Sequence, residues 1–149
     1  MTVYFPDLSP YDYYAPAAFP GVFTIGWLDQ AHPYETGDVA AGLVRKLTSA
    51  MIGTSSANVH VNQIRGVRPC GLCGMDEFED RRLRIGSTEV WIPGAQEVYY
   101  ASPSMLLHYI TAHRYLPPEP FRAALTSLDL SKPYRAQAEY ERLAAVVMA

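Results

Sequence analysis

Four residues stand out for the chemistry their types and spacing allow. Cys70 and Cys73 lie in the run Pro69-Cys70-Gly71-Leu72-Cys73-Gly74, and His108 and His113 follow further along. Thiolates and imidazoles are the donors that Zn²⁺ favours, and four of them close a tetrahedron. A Cys-x2-Cys step turns two sulfurs toward one ion if the chain between them folds back tightly, which glycines ease. The chain has 2 cysteines, too few and too closely spaced for a disulfide framework. A thioredoxin-like redox pair would sit after a strand at a helix N-terminus. The flanking glycines and the acids Asp76, Glu77, Glu79 and Asp80 fit that poorly. Buried thiols without a chemical role are the remaining alternative.

The histidines carry the functional question. Five residues of ideal helix turn through ~500°, which leaves His108 and His113 about 140° apart rather than on one face. Cys2His2 sites nonetheless use three- to five-residue gaps between histidines, and His113 falls where its helix should end. If both bind, the site is closed and structural. If one binds, a position stays open for water, the arrangement of catalytic zinc. His32 and His60 are reserve ligands.

Other candidates are weaker. Arg65, Arg68, Arg82 and Arg84, with Arg81 and Arg114, surround the cysteines in sequence and could form an anion- or nucleic-acid-binding face. The interleaved acids point instead to mutual neutralisation on a solvated surface. Asp29, His32 and Glu35 share one loop and could supply acid–base groups, although polar residues in a polar loop are ordinary. Trp27 and Trp91 read as core aromatics.

The elements that must position these groups can be sketched from periodicity. Residues 1–21 form a Pro/Tyr-rich arm that packs on the domain, because prolines at 6, 10, 16 and 20 disfavour a helix or an inner strand. VFTIGWL at 22–28 suits a buried strand. Val39, Leu43, Leu47 and Met51 recur every four residues, predicting a helix over 38–51 capped by Thr36 or Asp38 and ended by Gly53. A strand with Val59 and Val61 inward follows. Residues 83–93 suggest a hairpin turning at Gly86-Ser87, with a further strand at 97–101. Ser102-Pro103 suggests the start of the helix that carries both histidines. A short helix over 119–127 and a C-terminal helix from Pro133 complete the chain. The expectation is an α+β fold over 1–149 as one domain, with a small antiparallel sheet, helices and a zinc-binding region at 66–116.

Composition narrows the function classes. With 149 residues there is room for one core. A net charge of −3 argues against general nucleic-acid binding. The N-terminus carries neither a basic nor an apolar signal region, and no apolar run approaches the ~20 residues that span a bilayer. A soluble, cytoplasmic protein away from membranes is expected.

The glycine-flanked cysteines resemble the zinc knuckle of treble-clef and zinc-ribbon modules, and knuckle, hairpin, then a ligand-bearing helix is the treble-clef order over 69–114. Several phrases together (YFPDLSPYDY, IGWLD, RGVRPCGLC, TEVWIPG and YYASPSMLLHYITAHRYLPPEPFRAAL) resemble a family of small uncharacterised bacterial proteins, common in actinobacteria, with a knuckle, a hairpin and an HY-x3-H helix. The resemblance implies that Cys70, Cys73, His108 and His113 act as one set. It brings no activity. One departure is Arg68, which stands where that family's pattern has a histidine two residues before the first cysteine. The leading expectation is a zinc-stapled module that binds another protein. The alternatives are a small zinc hydrolase or cyclase of specialised metabolism and, more weakly, a nucleic-acid binder.

Overall fold

The computed structural model describes residues 3–13, 16–53 and 55–148; Tyr14 of the N-terminal arm lies outside them. Its elements are β1 (Val22–Thr24), α1 (Ala41–Ile52), β2 (Ala57–Asn58), β3 (His60–Val61), a 3-10 turn (Arg81–Leu83), β4 (Glu89–Pro93), β5 (Tyr99–Pro103), α2 (Leu106–His113), α3 (Glu119–Ser127), β6 (Tyr134–Arg135) and α4 (Ala136–Val147). The fold is α+β, as expected, but its sheet is mixed rather than antiparallel. Four strands lie side by side in the order β1, β5, β4, β3, and β1 runs parallel to β5. A parallel pair joins residues distant in sequence, here Val22 with Tyr99, so no local turn announces it.

β4 and β5 form the hairpin at the centre, with Trp91 opposite Ala101. The expected hairpin at 83–93 is therefore displaced. Residues 81–83 make a 3-10 turn, and Gly86 belongs to the loop that precedes β4. Ser102 and Pro103 are strand residues, and the helix starts at Leu106. Thr36 pairs with Tyr115 in an isolated bridge and Asp38 meets Arg114, so neither caps α1, whose N-cap position is Ala40. The strand expected over 22–28 keeps regular pairing only through Thr24. Gly53 does end α1, in the left-handed conformation.

Both faces of the central hairpin are covered, so β4 reads as a continuous buried run rather than an alternating one. Val90 and Ile92 point into a core built with Leu47 and Met51 of α1 and Phe121 and Leu125 of α3. Trp91 points the other way, into a second core with Tyr11, Phe19, Val22 and Leu143. The N-terminal segment reaches that core along β1: Tyr11 donates its N–H to Val22, and Leu8 to Thr24.

Glu89 is buried in that second layer, 5% exposed. It accepts hydrogen bonds from the Tyr11 hydroxyl (2.7 Å), Trp91 Nε1 (3.1 Å) and Asn62 Nδ2 (3.2 Å). Burial raises its carboxyl above the usual range, against the lowering effect of those donors. A raised folded-state value means that the stability it contributes is full below the unfolded value and is lost as pH rises through the folded one. The melting temperature of the wild type relative to Glu89→Gln is therefore expected to climb as pH falls from neutral toward the ordinary glutamate range. Paired thermal melts across that window check the sign, and a flat or falling difference contradicts it.

Candidate metal centre

The knuckle is a tight turn held by its own backbone. Cys70 donates its N–H to Met75 (2.9 Å), and Gly74 donates back to Cys70 (3.0 Å). The amides of Leu72 and Cys73 point at Cys70 Sγ, at 3.3 and 3.4 Å. Amides aimed at sulfur favour the thiolate that a metal requires. The segment entering the knuckle is fixed by Arg68 N–H donating to Gly86 (2.8 Å), while Gly86 N–H donates to the buried Ser104 hydroxyl (2.9 Å). Two further contacts hold it from outside. Gly71 N–H donates to the Tyr109 hydroxyl (2.9 Å), and the Gln30 side chain donates to the Leu72 carbonyl (2.9 Å).

The two histidines come from opposite ends of α2. His113 is the last helical residue, and Arg114 after it is left-handed. Their rings nevertheless approach to 5.0 Å between centroids, because the donor atoms sit at the tips of long side chains. Cys70 Sγ lies 3.5 Å from His113 Nε2, and Cys73 Sγ lies 3.5 Å from His108 Nε2. One donor atom from each of the four residues falls within 4.8 Å of the others. Such a cluster can hold a metal ion. Cys70 and His108 are buried, His113 is half-buried and Cys73 is exposed, so the site lies just under the surface.

Burial dominates the electrostatics of the cluster. Burial pushes the Cys70 thiol up, aided by the neighbouring Cys73. Burial pulls the His108 imidazole down, with His113 adding to the effect. It also pushes the Tyr109 phenol up to about 12, keeping that hydroxyl neutral as it accepts from the knuckle. The sequence carries one signal for Tyr109, its place beside His108 in the HY-x3-H pattern.

The remaining candidates fall elsewhere. His60 is fully engaged: Nε2 meets the Met51 carbonyl at 2.6 Å and Nδ1 meets Thr88 Oγ1 at 2.7 Å. Since a carbonyl only accepts, Nε2 carries the proton. His32 Nδ1 pairs with Asp29 Oδ1 at 2.7 Å, its ring stacked on Tyr4. Glu35 is exposed, and its charge is felt by Asp7. Arg82 is held by Asp80 through Nε and a terminal nitrogen, at 2.9 and 2.8 Å. Arg68 donates to the Tyr13 hydroxyl. Arg65 and Arg84 line a groove together with Asp76, Glu77, Glu79 and Asp80.

Residues 3–126 match the family model described as "Domain of unknown function (DUF7919)". No curated protein and no solved structure matches the chain.

Proposed function

The chain belongs to the DUF7919 family, and on that premise we propose that Cys70, Cys73, His108 and His113 bind one Zn²⁺ in a closed, structural site. The observation that carries this reading is the convergence of four donors, two sulfurs and two nitrogens, on one point. Zinc bonds of ~2.3 Å to sulfur and ~2.0 Å to nitrogen, arranged tetrahedrally, put neighbouring S and N about 3.5 Å apart. Both close Sγ···Nε2 distances are 3.5 Å. The order of knuckle, β4–β5 hairpin and ligand-bearing α2 is that of a treble clef. A reducing compartment such as the cytoplasm keeps both thiols available.

The zinc then staples the knuckle to α2, and the function of the module is to present a surface to another protein. Val67 and Met75, each 46% exposed, flank the knuckle along the charged groove. A small zinc enzyme is the second reading, favoured by the Asp29–His32 pair that the Gln30 contact ties beside the knuckle. It needs a water position on the metal, which four protein donors fill.

A zinc titration of the apo-protein in weak buffer separates these readings. Because zinc binds cysteine as the thiolate and histidine as the neutral ring, closed binding is expected to take up one Zn²⁺ and to release about two protons, one from each thiol. Cobalt in place of zinc should give a tetrahedral spectrum unchanged by added azide or cyanide. Absence of zinc uptake refutes the metal reading. An anion-sensitive spectrum refutes the closed site.

A further inference from the structure

A cavity of about 70 Å³ opens beside the metal cluster, bounded by the N-terminal segment, the 62–69 stretch and the start of the central hairpin. At ~10–15 Å³ per water it holds about five to seven waters, or the end of a short aliphatic chain. Tyr13, Trp27, Met105 and Tyr109 supply its walls. Trp27 and Tyr13 stand edge to face with ring centroids 5.0 Å apart. Glu89 also lines the cavity.

The carboxylate decides what the cavity can take. Its three hydrogen-bond partners are neutral groups, and among the described residues it has no ion pair. With Arg68 acting on it only through space, the buried carboxyl is costly to ionise, and a cation delivered beside it favours the ionised form. Aromatic faces around the same space attract a cation through their ring electrons. An anion would meet Glu89 unfavourably, and a neutral ligand would leave the charge as it stands. Arg68 lines the cavity too, with its guanidinium 5.5 Å from the Tyr13 ring centre. Its charge is felt by Glu89 without direct contact, so it opposes a second cation.

We propose that this cavity binds a protonated primary amine on a short aliphatic stem, with the ammonium at Glu89 and the stem among Tyr13, Trp27 and Tyr109. The site is separate from the four metal donors, and the inference does not depend on which metal they hold. The same chemistry can come from a free small amine or from a lysine side chain of a protein partner.

The test uses the purified full chain with n-butylamine, n-butanol and butyrate as probes of equal length, followed by tryptophan fluorescence and amide NMR. n-Butylammonium is expected to bind at least about tenfold more tightly than n-butanol, from one charge-assisted contact, and butyrate more weakly than either. In Glu89→Gln the preference over n-butanol should shrink to less than about twofold, from loss of that contact. Arg68→Gln, at an exposed position, should tighten n-butylammonium binding, an effect that a merely destabilised fold would not produce. Nα-acetyl-lysine-methylamide gives the source: binding tighter than n-butylamine supports a partner's lysine, and weaker binding supports a free amine. The proposal is overturned if the amine binds no better than the alcohol, if butyrate binds best, or if Arg68→Gln leaves the amine unaffected. If Glu89→Gln does not fold, the Arg68→Gln arm and the probe ranking decide. A chain that takes the amine but no zinc would refute the metal reading and leave this one standing.

Discussion

Replacing Cys70 with Ser is expected to abolish stoichiometric zinc binding and to lower the melting temperature by ~4–20 °C. The side chain is 3% exposed, and it touches both the metal position and the core around α2. Structural zinc sites can contribute more than ~10 kcal/mol in metal-dependent peptides. Here two hydrophobic cores gather residues from along the chain, so the expected loss is the smaller one of a local staple, ~2–5 kcal/mol by analogy with removing a native cross-link. At ~2–4 °C per kcal/mol for a chain of this length, that gives the stated shift. His108→Ala and His113→Ala should each weaken zinc by more than about 100-fold, beyond the 10–100-fold typical of outer-shell partners. Tyr109→Phe removes only the acceptor for the Gly71 amide and should fall within that outer-shell range. Competition titrations with a zinc-responsive dye, with melts before and after chelation, provide the measurements. If His113→Ala binds zinc as the wild type does, the site has three protein ligands and the closed reading fails.

The second large effect concerns Gly86. Its φ is +86°, and a Cβ there would stand 2.6 Å from Val67 Cγ1 and 2.7 Å from the Arg68 carbonyl oxygen. Gly86→Ala therefore combines a left-handed backbone, at ~1–2 kcal/mol, with overpacking of ~1–3 kcal/mol. A loss of about 3 kcal/mol, or ~6–12 °C in melting temperature, is expected. The clash pushes on the two residues that lead into the knuckle, so zinc affinity should fall in parallel. Gly66→Ala, with no atom within 4 Å of its added Cβ, is the matched control and should be near neutral. Denaturant melts with the metal titration of both variants test this. Equal behaviour of the two alanines would show that the segment entering the knuckle has room to move.

The legible parts of this protein are those that a few consecutive residues determine. Cys70 and Cys73 share one turn whose glycines and spacing have a local explanation, and α1 follows its four-residue apolar stripe to Gly53. The cluster with His108 and His113 was reachable from residue type, although helix geometry alone argued against their convergence. What overrides it is position: His113 sits at the final helical residue, and the knuckle lies where both ring tips can reach. Long-range pairing left no such mark. The β1–β5 ladder joins residues some eighty positions apart, and the Gly86-Ser87 dipeptide, a good hairpin turn by its own chemistry, lies instead against the segment that leads into the knuckle. Glu89 was equally hidden, since its three donors come from residues 11, 62 and 91.

The C-terminal helix gives the last point. The family match ends at residue 126, yet α4 beyond it contributes Leu143 and Ala136 to the core that holds Trp91, and Tyr140 meets the Trp91 ring at 5.6 Å. β6 adds a parallel ladder to β2, and Tyr134 donates to the Trp91 carbonyl. The matched segment is thus shorter than the stretch over which this interior is built, and a cut at its end would strip from Trp91 the wall that α4 supplies.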